Sequence, residues 1–509
     1  MKTQVGIKLI STMKFRTILS CILVCLMGVA KTNAQDELKV SAYTFSIQPK
    51  VGMVASHTRA GVLIDNVYGD LKTTLMLFES ANSRFLLVTS PLGIDGYLRK
   101  PIVDLVQEVL NLSTEAIVTS SSHSHTVPYL SLNIESPEKN TPQYLSWEVG
   151  KDFVKKMRQG IAQLENGLQT VTVEWGVAEE NRISYNRRGV YPDGTTYFMR
   201  EEDRQLVGEG YVGTIDPDAS LVLFRSATSK KPVAAITMFA AHPVVAYNPE
   251  KQFSYGQFPQ VASEMVSEFF DGIPVGFIQG TSGDINAKYM LTGTIEQAKE
   301  AGDLLGETFL IAAKNLRSSK RSGMEWSMKT AYVPYDELPS LGELEKSLAE
   351  IDDFVVRANA GDENTLRAVG MNFPRALTPP YRANLVLGVR NWYIWAIDQH
   401  RQNLLHTLPS RVPINVFTAR FGDVGFVGLP YEVFVKTGLK IKREAHLPMV
   451  LAGGYTNGTQ GYIPDASAAD DREYMSGYFR YRQNIPPYKA PAGDSAAELA
   501  IRELNRFAK

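Results

Sequence analysis

Two histidines separated by a single residue, His123 and His125, directly follow the apolar stretch 116–118. Side chains two positions apart on an extended chain point to the same face. Both imidazoles could therefore enter one site at the carboxyl end of a strand, where α/β proteins place their ligands. His242 follows another strand-like stretch, 233–239, and imidazole nitrogen is the commonest neutral ligand of zinc. These histidines are candidate metal ligands; the alternative for each is a structural histidine at a strand end.

The histidine pair does not continue as it does in a metallo-β-lactamase. That family extends the pair to His-x-His-x-Asp-His, whereas Val127 and Pro128 occupy the last two of those positions here. The remaining histidines have no comparable context and are interpreted as structural: His57, His400, His406 and His446.

Polar residues at other predicted turns could also take part in chemistry. The stretch 280–286 suits either a backbone nest for an oxyanion or a plain tight turn. Asn186 and Arg187 open either a substrate-binding loop or a hairpin with solvated charges. Glu432 stands at a predicted helix start, where a carboxylate more commonly interacts with the helix dipole. A glycine-rich loop carries two tyrosines whose commonest role would be packing: Tyr455 and Tyr462.

The elements that would position these residues alternate between strand-like and helix-like patterns. This alternation predicts a mixed α/β or α+β fold in which helices flank a central sheet. Residues 338–405 are mostly helical in pattern and are predicted to be an insertion that covers the sheet. Strands are predicted at 71–78, 84–90, 116–121, 171–177, 221–224, 233–239, 275–279, 416–419, 424–427 and 449–452, with 221–224 and 233–239 forming a hairpin. Helices are predicted at 101–112, 144–164, 261–270, 295–316, 431–445 and 495–507.

Composition excludes several classes of protein. The 509 residues include 53 Lys+Arg and 54 Asp+Glu, and this lack of basic excess argues against a nucleic-acid partner. The chain has 2 cysteines, Cys21 and Cys25, which rules out a disulfide scaffold and a cysteine-ligated metal site. No stretch after the first 34 residues reaches the ~18 apolar residues of a transmembrane helix.

The N-terminal residues read as a secretory signal peptide. Basic residues precede the apolar run 18–30, and the small residue Ala34 offers a cleavage site before Gln35. We therefore predict a signal peptide at 1–34 and a periplasmic or secreted domain at 35–509. A membrane anchor and a lipoprotein signal ending at Cys21 are the alternatives.

Taken in order, these segments resemble the neutral ceramidase family of zinc-dependent amidases and its bacterial relatives. The family's Thr-His-Thr-His-Ser-Gly-Pro stretch is similar to 122–128, and its Phe-Ala-x-His-Pro stretch is similar to 239–243. The family's Asn-Arg pair is matched by 186–187, and its Gly-Asp-Val-Ser region is matched in part by 281–288. Its Pro-Gly-Glu stretch is similar to 430–432, and its Asn-x-Tyr-x-x-Tyr-Ile stretch is matched in part by 457–463.

The resemblance implies a ceramidase-like catalytic domain that hydrolyses an N-acyl amide bond in a small-molecule or lipid-like substrate such as a sphingolipid. It implies one Zn²⁺ per chain, with the ligands His123, His242, Glu432 and Tyr462. It places His125 beside the metal or facing the substrate, and it assigns Asn186 and Arg187 to substrate binding near the scissile bond. The immunoglobulin-like domain that follows in the family is expected to be absent.

Two departures from the family pattern shape the expected chemistry. Asn286 stands where the family has the serine of Gly-Asp-Val-Ser, and 254–258 is altered relative to a Ser-x-Asp-x-x-Gly stretch. We therefore expect zinc-activated water to attack the carbonyl, with Asn286 donating to the developing oxyanion. Two alternatives stay open: a zinc hydrolase of the same fold that cleaves another ester or amide, and a non-catalytic exported binding protein.

Overall fold

The computed structural model describes residues 37–57, 60–81, 83–94, 96–132, 135–194, 196–469, 471 and 484–509. The predicted signal peptide and both cysteines lie outside the described residues.

Strands and helices alternate along the described chain and are numbered in chain order. The strands are β1 Lys39–Ile47, β2 Asn66–Tyr68, β3 Leu71–Ser80, β4 Ser83–Ser90, β5 Ile117–Ser121, β6 Gln169–Glu179, β7 Ser184–Asn186, β8 Arg188–Val190, β9 Thr196–Phe198, β10 Asp218–Ser226, β11 Pro232–Phe239, β12 Phe253–Tyr255, β13 Val275–Gln279, β14 Ile285–Ala287, β15 Arg317–Ser318, β16 Met324–Pro334, β17 Arg367–Ala368, β18 Met371–Asn372, β19 Arg411–Phe421, β20 Val424–Gly428, β21 Glu432–Val433, β22 Met449–Gly453 and β23 Tyr462–Ile463. The helices are α1 Gly96–Leu110, α2 Pro142–Gly167, α3 Glu201–Val207, α4 Gln257–Phe269, α5 Ile295–Lys314, α6 Leu341–Asn359, α7 Pro379–Arg401, α8 Val435–Glu444 and α9 Asp494–Phe507.

The largest sheet has the strand order β13-β11-β10-β6-β1-β3-β4-β5, and β15 also pairs with β6. Neighbouring strands are antiparallel except at the two ends, where β11 and β13 run parallel, as do β4 and β5. All of residues 73–78 in β3 are buried, as expected for a strand covered on both faces. β10 and β11 form the predicted hairpin. The mixed α/β fold around a central sheet is thus confirmed.

A smaller sheet, β16-β19-β20-β22, packs against the first through aromatic side chains. Phe78 stacks on Phe85 with ring centroids 4.8 Å apart, and on Phe421 of β19 at 5.2 Å. Phe417 of β19 meets the ring of Phe85 at 5.3 Å in an edge-on contact. These rings are fully buried, so the contact between the two sheets forms the centre of the main core.

The segment predicted as a helical insertion contains α6 and α7, which bury their apolar faces mainly on each other. Helix α6 begins at a capping box formed by Ser340 and Glu343. The core between α6 and α7 also packs against two loop residues outside the segment, Tyr247 and Leu291. The Asn372 side chain donates to the Phe198 carbonyl at 2.9 Å, which ties the segment to β9. The segment therefore packs against β9 and against the loops that carry Tyr247 and Leu291.

The helix predicted at 431–445 is wrong at its start. Glu432 and Val433 form β21, which runs parallel to β23, and the helix begins only at Val435. The backbone N–H of Glu432 donates to the Gly461 carbonyl at 2.9 Å, and that of Phe434 donates to the Ile463 carbonyl at 3.1 Å. These bonds hold the chain extended, so Glu432 is not a helix-dipole partner.

Helices long and apolar enough to cross a bilayer are not found among the residues that the structure describes.

Candidate metal centre

His123 and His125 follow β5 on a sharp turn rather than on a continuing strand. His123 has a φ of 61°, in the left-handed region that non-glycine residues rarely adopt. The Ser121 hydroxyl holds this turn, because it accepts from the His123 N–H at 3.0 Å and donates to the Leu92 carbonyl at 2.8 Å. The His125 N–H donates to the Pro243 carbonyl at 3.2 Å, which brings the turn against the segment that carries the third histidine. The strained backbone thus serves to direct His123 into the site.

His242 lies just beyond the end of β11, and its ring orientation is fixed from behind. Its Nδ1 lies 3.0 Å from the Ile285 carbonyl, so Nδ1 carries the proton and donates to that oxygen. Its Nε2 then presents a lone pair to the site, where the Oε2 atom of Glu432 lies 3.0 Å away. Metal-ligating histidines typically donate the other ring N–H to a carbonyl or carboxylate oxygen in this way, which fixes the tautomer.

Glu432 enters the site from β21 and is almost completely buried. Its Oε2 lies 3.5 Å from Nε2 of His123. The parallel pairing of β21 with β23 sets Glu432 beside Tyr462, and the Arg187 guanidinium lies 5.3 Å from the centroid of the Tyr462 ring. Burial and the charge of Glu432 raise the pKa of Tyr462, so its phenol is protonated when no cation is bound.

The charge balance of this cluster favours a cation at its centre. Burial opposes ionisation of Glu432, but the imidazoles of His123 and His242 outweigh it and hold the pKa of Glu432 well below its usual value. Burial, with the charge of Arg187, lowers the pKa of His242 to about 4, so this imidazole is neutral at pH 7. Nε2 of His242 and Oε2 of Glu432 lie 3.0 Å apart, a distance at which a proton or a cation must lie between them.

The spacing of the donor atoms fits a zinc-sized ion. Bonds of about 2.0–2.1 Å in tetrahedral geometry place ligand atoms about 3.4 Å apart, and the contacts of Glu432 with the two histidines measure 3.0 and 3.5 Å. Nε2 of His125 lies 3.1 Å from Nε2 of His123, and the ligand atoms of the three histidines all lie within 4.8 Å of one another. The structure thus brings five of the predicted site residues together: His123, His125, His242, Glu432 and Tyr462. His125 was not predicted to be a ligand, but its Nε2 lies as near to Nε2 of His123 as Oε2 of Glu432 does.

Two further residues lie in this cluster that the sequence did not single out for chemistry. His57, interpreted as structural, packs its ring against His123 and His125 at centroid distances of 5.2 and 5.5 Å. Tyr455, interpreted as packing, points its hydroxyl at Nε2 of His242 from 3.4 Å and at the Ser282 hydroxyl from 3.1 Å. His57 and Tyr455, like His123, have positive φ angles. This backbone strain is visible in the structure but cannot be predicted from the periodicity of the sequence.

Arg187 and Asn286 line the cleft beside the candidate metal cluster. Arg187 is almost completely buried, and its guanidinium donates to Oδ1 of Asn286 at 3.1 Å and to the Gly283 carbonyl at 2.6 Å. The side-chain N–H of Asn286 lies 2.8 Å from the sulfur of Met290, a weak acceptor that a developing oxyanion could replace. Asn186 instead donates to Thr214 and Asp284 and does not line the cleft. Its predicted part in substrate binding stays a prediction.

The cluster lies in a cleft of about 510 Å³. Polar side chains line one part of it, from the strand ends and the loops that follow them. The other part is mainly apolar, and much of it comes from residues 371–389 of the helical segment. The polar side includes His57, His123, His125, Arg187, His242, Asn286, Glu432 and Tyr462. The apolar side includes Val244, Met290, Leu291, Met371, Phe373, Leu377, Leu385 and Val389, and the helical segment also contributes the polar Asn372, Tyr381 and Asn384. Clefts of this size and polarity are typical of small-molecule sites.

Comparison with known proteins shows the fold. No protein-family model and no curated protein sequence matches the chain. Its structure is similar to the neutral ceramidase of Pseudomonas aeruginosa, with a TM-score of 0.58 and 15% identity over 93% of this chain and 74% of that one. It is equally similar to a ceramidase complexed with C2, with a TM-score of 0.59 and 15% identity over 93% of this chain and 75% of that one. The resemblance predicted from the sequence is confirmed at the level of the fold.

Proposed function

We propose that this chain is an exported, zinc-dependent hydrolase that cleaves an N-acyl amide bond, as its ceramidase-like fold and its buried donor cluster suggest. The observation that carries the proposal is the set of imidazole, carboxylate and phenol groups around one point at the polar end of a cleft whose other wall is apolar. A polar end with a metal suits a scissile amide, and an apolar wall suits the hydrocarbon of an acyl group.

The proposed ligands of one zinc ion are His123, His242, Glu432 and Tyr462, with His125 adjacent. Two neutral imidazoles and one carboxylate leave a divalent ion with net positive charge. Zinc bound there would polarise a carbonyl oxygen and lower the pKa of a bound water to about 7.

The residues around the ion bind the amide and move its protons. Burial, followed by the charges of neighbouring histidines, holds the pKa of His125 well below its usual value, so its imidazole is unprotonated at neutral pH. Its Nε2 lies 3.1 Å from Nε2 of His123, and His125 is the proposed acceptor of a proton from the attacking water. Asn286 donates its side-chain N–H to the oxygen that gains charge, once that N–H leaves the Met290 sulfur. Arg187 holds Asn286 in place through its 3.1 Å hydrogen bond and adds positive charge to the same end of the cleft.

The test of this proposal pairs metal analysis with an amidase assay. Purified protein is analysed for bound metal and assayed against ceramide and against chromogenic N-acyl and O-acyl substrates of several acyl lengths. We expect about one zinc per chain and a preference for amides. His123→Ala and His242→Ala should lose metal and turnover, whereas His446→Ala, which changes a histidine outside the cleft, should lose neither.

Full metal content and full rate in both site variants would disprove the proposal. Faster cleavage of O-acyl than of N-acyl substrates would instead support an esterase of the same fold. Zinc-loaded protein that binds these compounds stoichiometrically without turnover would support a binding protein.

A further inference from the structure

One face of helix α7 forms much of the apolar wall of the cleft. Tyr381, Leu385, Gly388 and Val389 all line the cavity. Leu385, Gly388 and Val389 follow Tyr381 by four, seven and eight residues, which places all four on one face of the helix. Three of these positions present a side chain to the cleft, and Gly388 presents none, which leaves a gap in the wall.

Neither the helix nor its packing explains a glycine at this position. Glycine in the interior of a helix lowers its stability relative to alanine. Other helical glycines of this protein allow a close approach; a Cβ on Gly160, for example, would lie 2.5 Å from the Tyr43 ring. A Cβ built on Gly388 would meet no atom within 4 Å. The space in front of Gly388 is therefore open cleft.

The chemistry of this wall suits an uncharged and largely apolar group. The residues that the segment 371–389 contributes to the cleft include no charged side chain. The amide of Asn372 is already engaged, since it donates to the Phe198 carbonyl at 2.9 Å and to Asp203 at 3.1 Å.

Tyr381 and Asn384 add polar groups to the wall, whereas Leu377, Leu385 and Val389 offer hydrocarbon alone. A polar group against these three side chains would lose hydrogen bonds to water without replacement, which is unfavourable. A hydrocarbon chain would lose none.

Resting on the proposed amide hydrolysis, we infer that Gly388 is the specificity-determining residue for the acyl group of the substrate. The gap at Gly388 leaves room for one unbranched hydrocarbon chain to cross α7, with its carbonyl at the polar end of the cleft. The head group on nitrogen occupies the polar side and does not contact α7.

The experiment fills the gap and measures how the rate depends on acyl length. Gly388→Ala and Gly388→Phe are assayed beside wild type with amides that share one head group and carry acetyl, hexanoyl, octanoyl and dodecanoyl groups. The matched control is Gly342→Phe in α6, an exposed helical glycine that also has no atom within 4 Å of its would-be Cβ and does not line the cleft.

In wild type, kcat/KM should rise with chain length by up to about 4-fold for each methylene that contacts the wall. In Gly388→Phe, kcat/KM for the dodecanoyl amide should fall roughly 10-fold or more, because several methylenes no longer contact the wall. The same variant should stay within about 2-fold of wild type on the acetyl amide, and Gly342→Phe should match wild type throughout. An equal loss on every substrate, or a length profile unchanged by Phe, would overturn the inference.

A binding measurement separates failure of this inference from failure of the proposed function. The same variants are titrated with octanoate and decanoate by calorimetry. If wild type hydrolyses no amide but binds decanoate more tightly than octanoate, and Gly388→Phe removes that difference, the chain-binding role of Gly388 stands and the amidase proposal fails. If wild type and Gly388→Phe bind decanoate equally, the role of Gly388 is refuted whatever the enzyme hydrolyses.

Discussion

At the scale of single residues, the site depends on side chains that orient other side chains. Tyr455 is fully buried, its ring lies 4.5 Å from that of His123, and its hydroxyl joins Ser282 to His242. Ser282 in turn accepts from the side chain of Gln279 at 2.8 Å. One tyrosine thus contacts two of the proposed metal ligands and is anchored by a hydrogen-bond chain behind them.

We predict that Tyr455→Phe weakens zinc binding while leaving the fold intact. The ring contact with His123 survives the change, and the hydrogen bond that helps to position His242 is lost. Loss of such an outer contact typically weakens metal affinity by about 10- to 100-fold. Competition with a chelator measures the affinity, and Tyr332→Phe, at an exposed tyrosine, is the control. Unchanged affinity in Tyr455→Phe would show that the tyrosine only fills space.

Asn286 is the residue whose predicted role is most specific to the reaction. Its side chain accepts from Arg187, and its N–H donates to the sulfur of Met290, a weak acceptor. We predict that Asn286→Ala lowers kcat by about 10²- to 10³-fold, as expected when one oxyanion donor is removed. Metal content and substrate KM should change little, because the proposed metal ligands remain. A large rise in KM with an unchanged kcat would contradict this role and assign Asn286 to substrate binding.

At the scale of elements, short strands bring distant parts of the chain into one site. The pairing of β21 with β23 sets Glu432 beside Tyr462. Gly283 allows β21 to lie close to the turn that precedes β14, because a Cβ there would lie 2.4 Å from the Glu432 carbonyl oxygen. The carboxylate of the metal site is thus positioned by backbone contacts on both sides.

We predict that Gly283→Ala displaces β21 and weakens the metal site. The added methyl group cannot be accommodated without moving the backbone of Glu432, and overpacking of this kind costs about 1–3 kcal/mol. Zinc affinity and thermal stability should both fall. Gly342→Ala, at a glycine with open space around it, should lower neither. Wild-type zinc affinity in Gly283→Ala would show that the position of β21 does not depend on this contact.

The sequence predicted the long elements well because they carry a regular apolar period. The buried strand β5 and the long helix α2 follow such patterns, and their predicted bounds differ from the observed ones by a few residues. Strand β21 has two residues, too few for any period, and the apolar residues around Glu432 continue into α8, so one helix was predicted. Its extended form depends on a partner strand about thirty residues away in sequence.

The same reasoning explains which site residues the sequence revealed. His123, His125 and His242 follow apolar strands, and that context marks a strand end in any α/β protein. His57 follows no such strand, and its place beside His123 depends on the tertiary fold. Even its ring position depends on a distant glycine, because a Cβ on Gly93 would lie 2.8 Å from the ring. Local sequence carries no information about contacts of this kind.

At the scale of the whole molecule, the fold holds several ionisable groups buried together before any metal binds. His125 and His242 are kept neutral mainly by burial, and Glu432 is kept ionised by its histidine neighbours. Each shifted pKa is also a statement about stability, because the folded and unfolded states then bind different numbers of protons. The pH dependence of unfolding therefore reports on the site without any assay of activity.

We predict that the metal-free protein loses stability as the pH falls from about 6.5 towards 4. An unfolded histidine titrates near pH 6.5, whereas the pKa of folded His242 is about 4. Between these values the unfolded chain binds more protons, so acid favours unfolding, by up to about 3 kcal/mol for His242. His125 shifts in the same direction and adds to the effect. Above pH 7 this contribution is complete and constant.

Urea denaturation of chelator-treated protein between pH 7.5 and 4.5 measures this slope. Glu432 does not titrate in that range, because its pKa lies well below its usual value. Asp284 does, because burial raises its pKa to about 6, and it opposes the histidine slope, so the effect of His242 is read from the difference between variant and wild type. His242→Asn should flatten the dependence, since it removes the titrating ring, whereas His406→Asn, at an exposed histidine, should keep the wild-type slope. Equal slopes in His242→Asn and wild type would mean that folded His242 titrates as it does in the unfolded chain, which contradicts the lowered pKa. A shallower slope in wild type than in His242→Asn would mean that His242 stays protonated in the folded protein, so that its Nε2 donates to Glu432 and presents no lone pair to a metal.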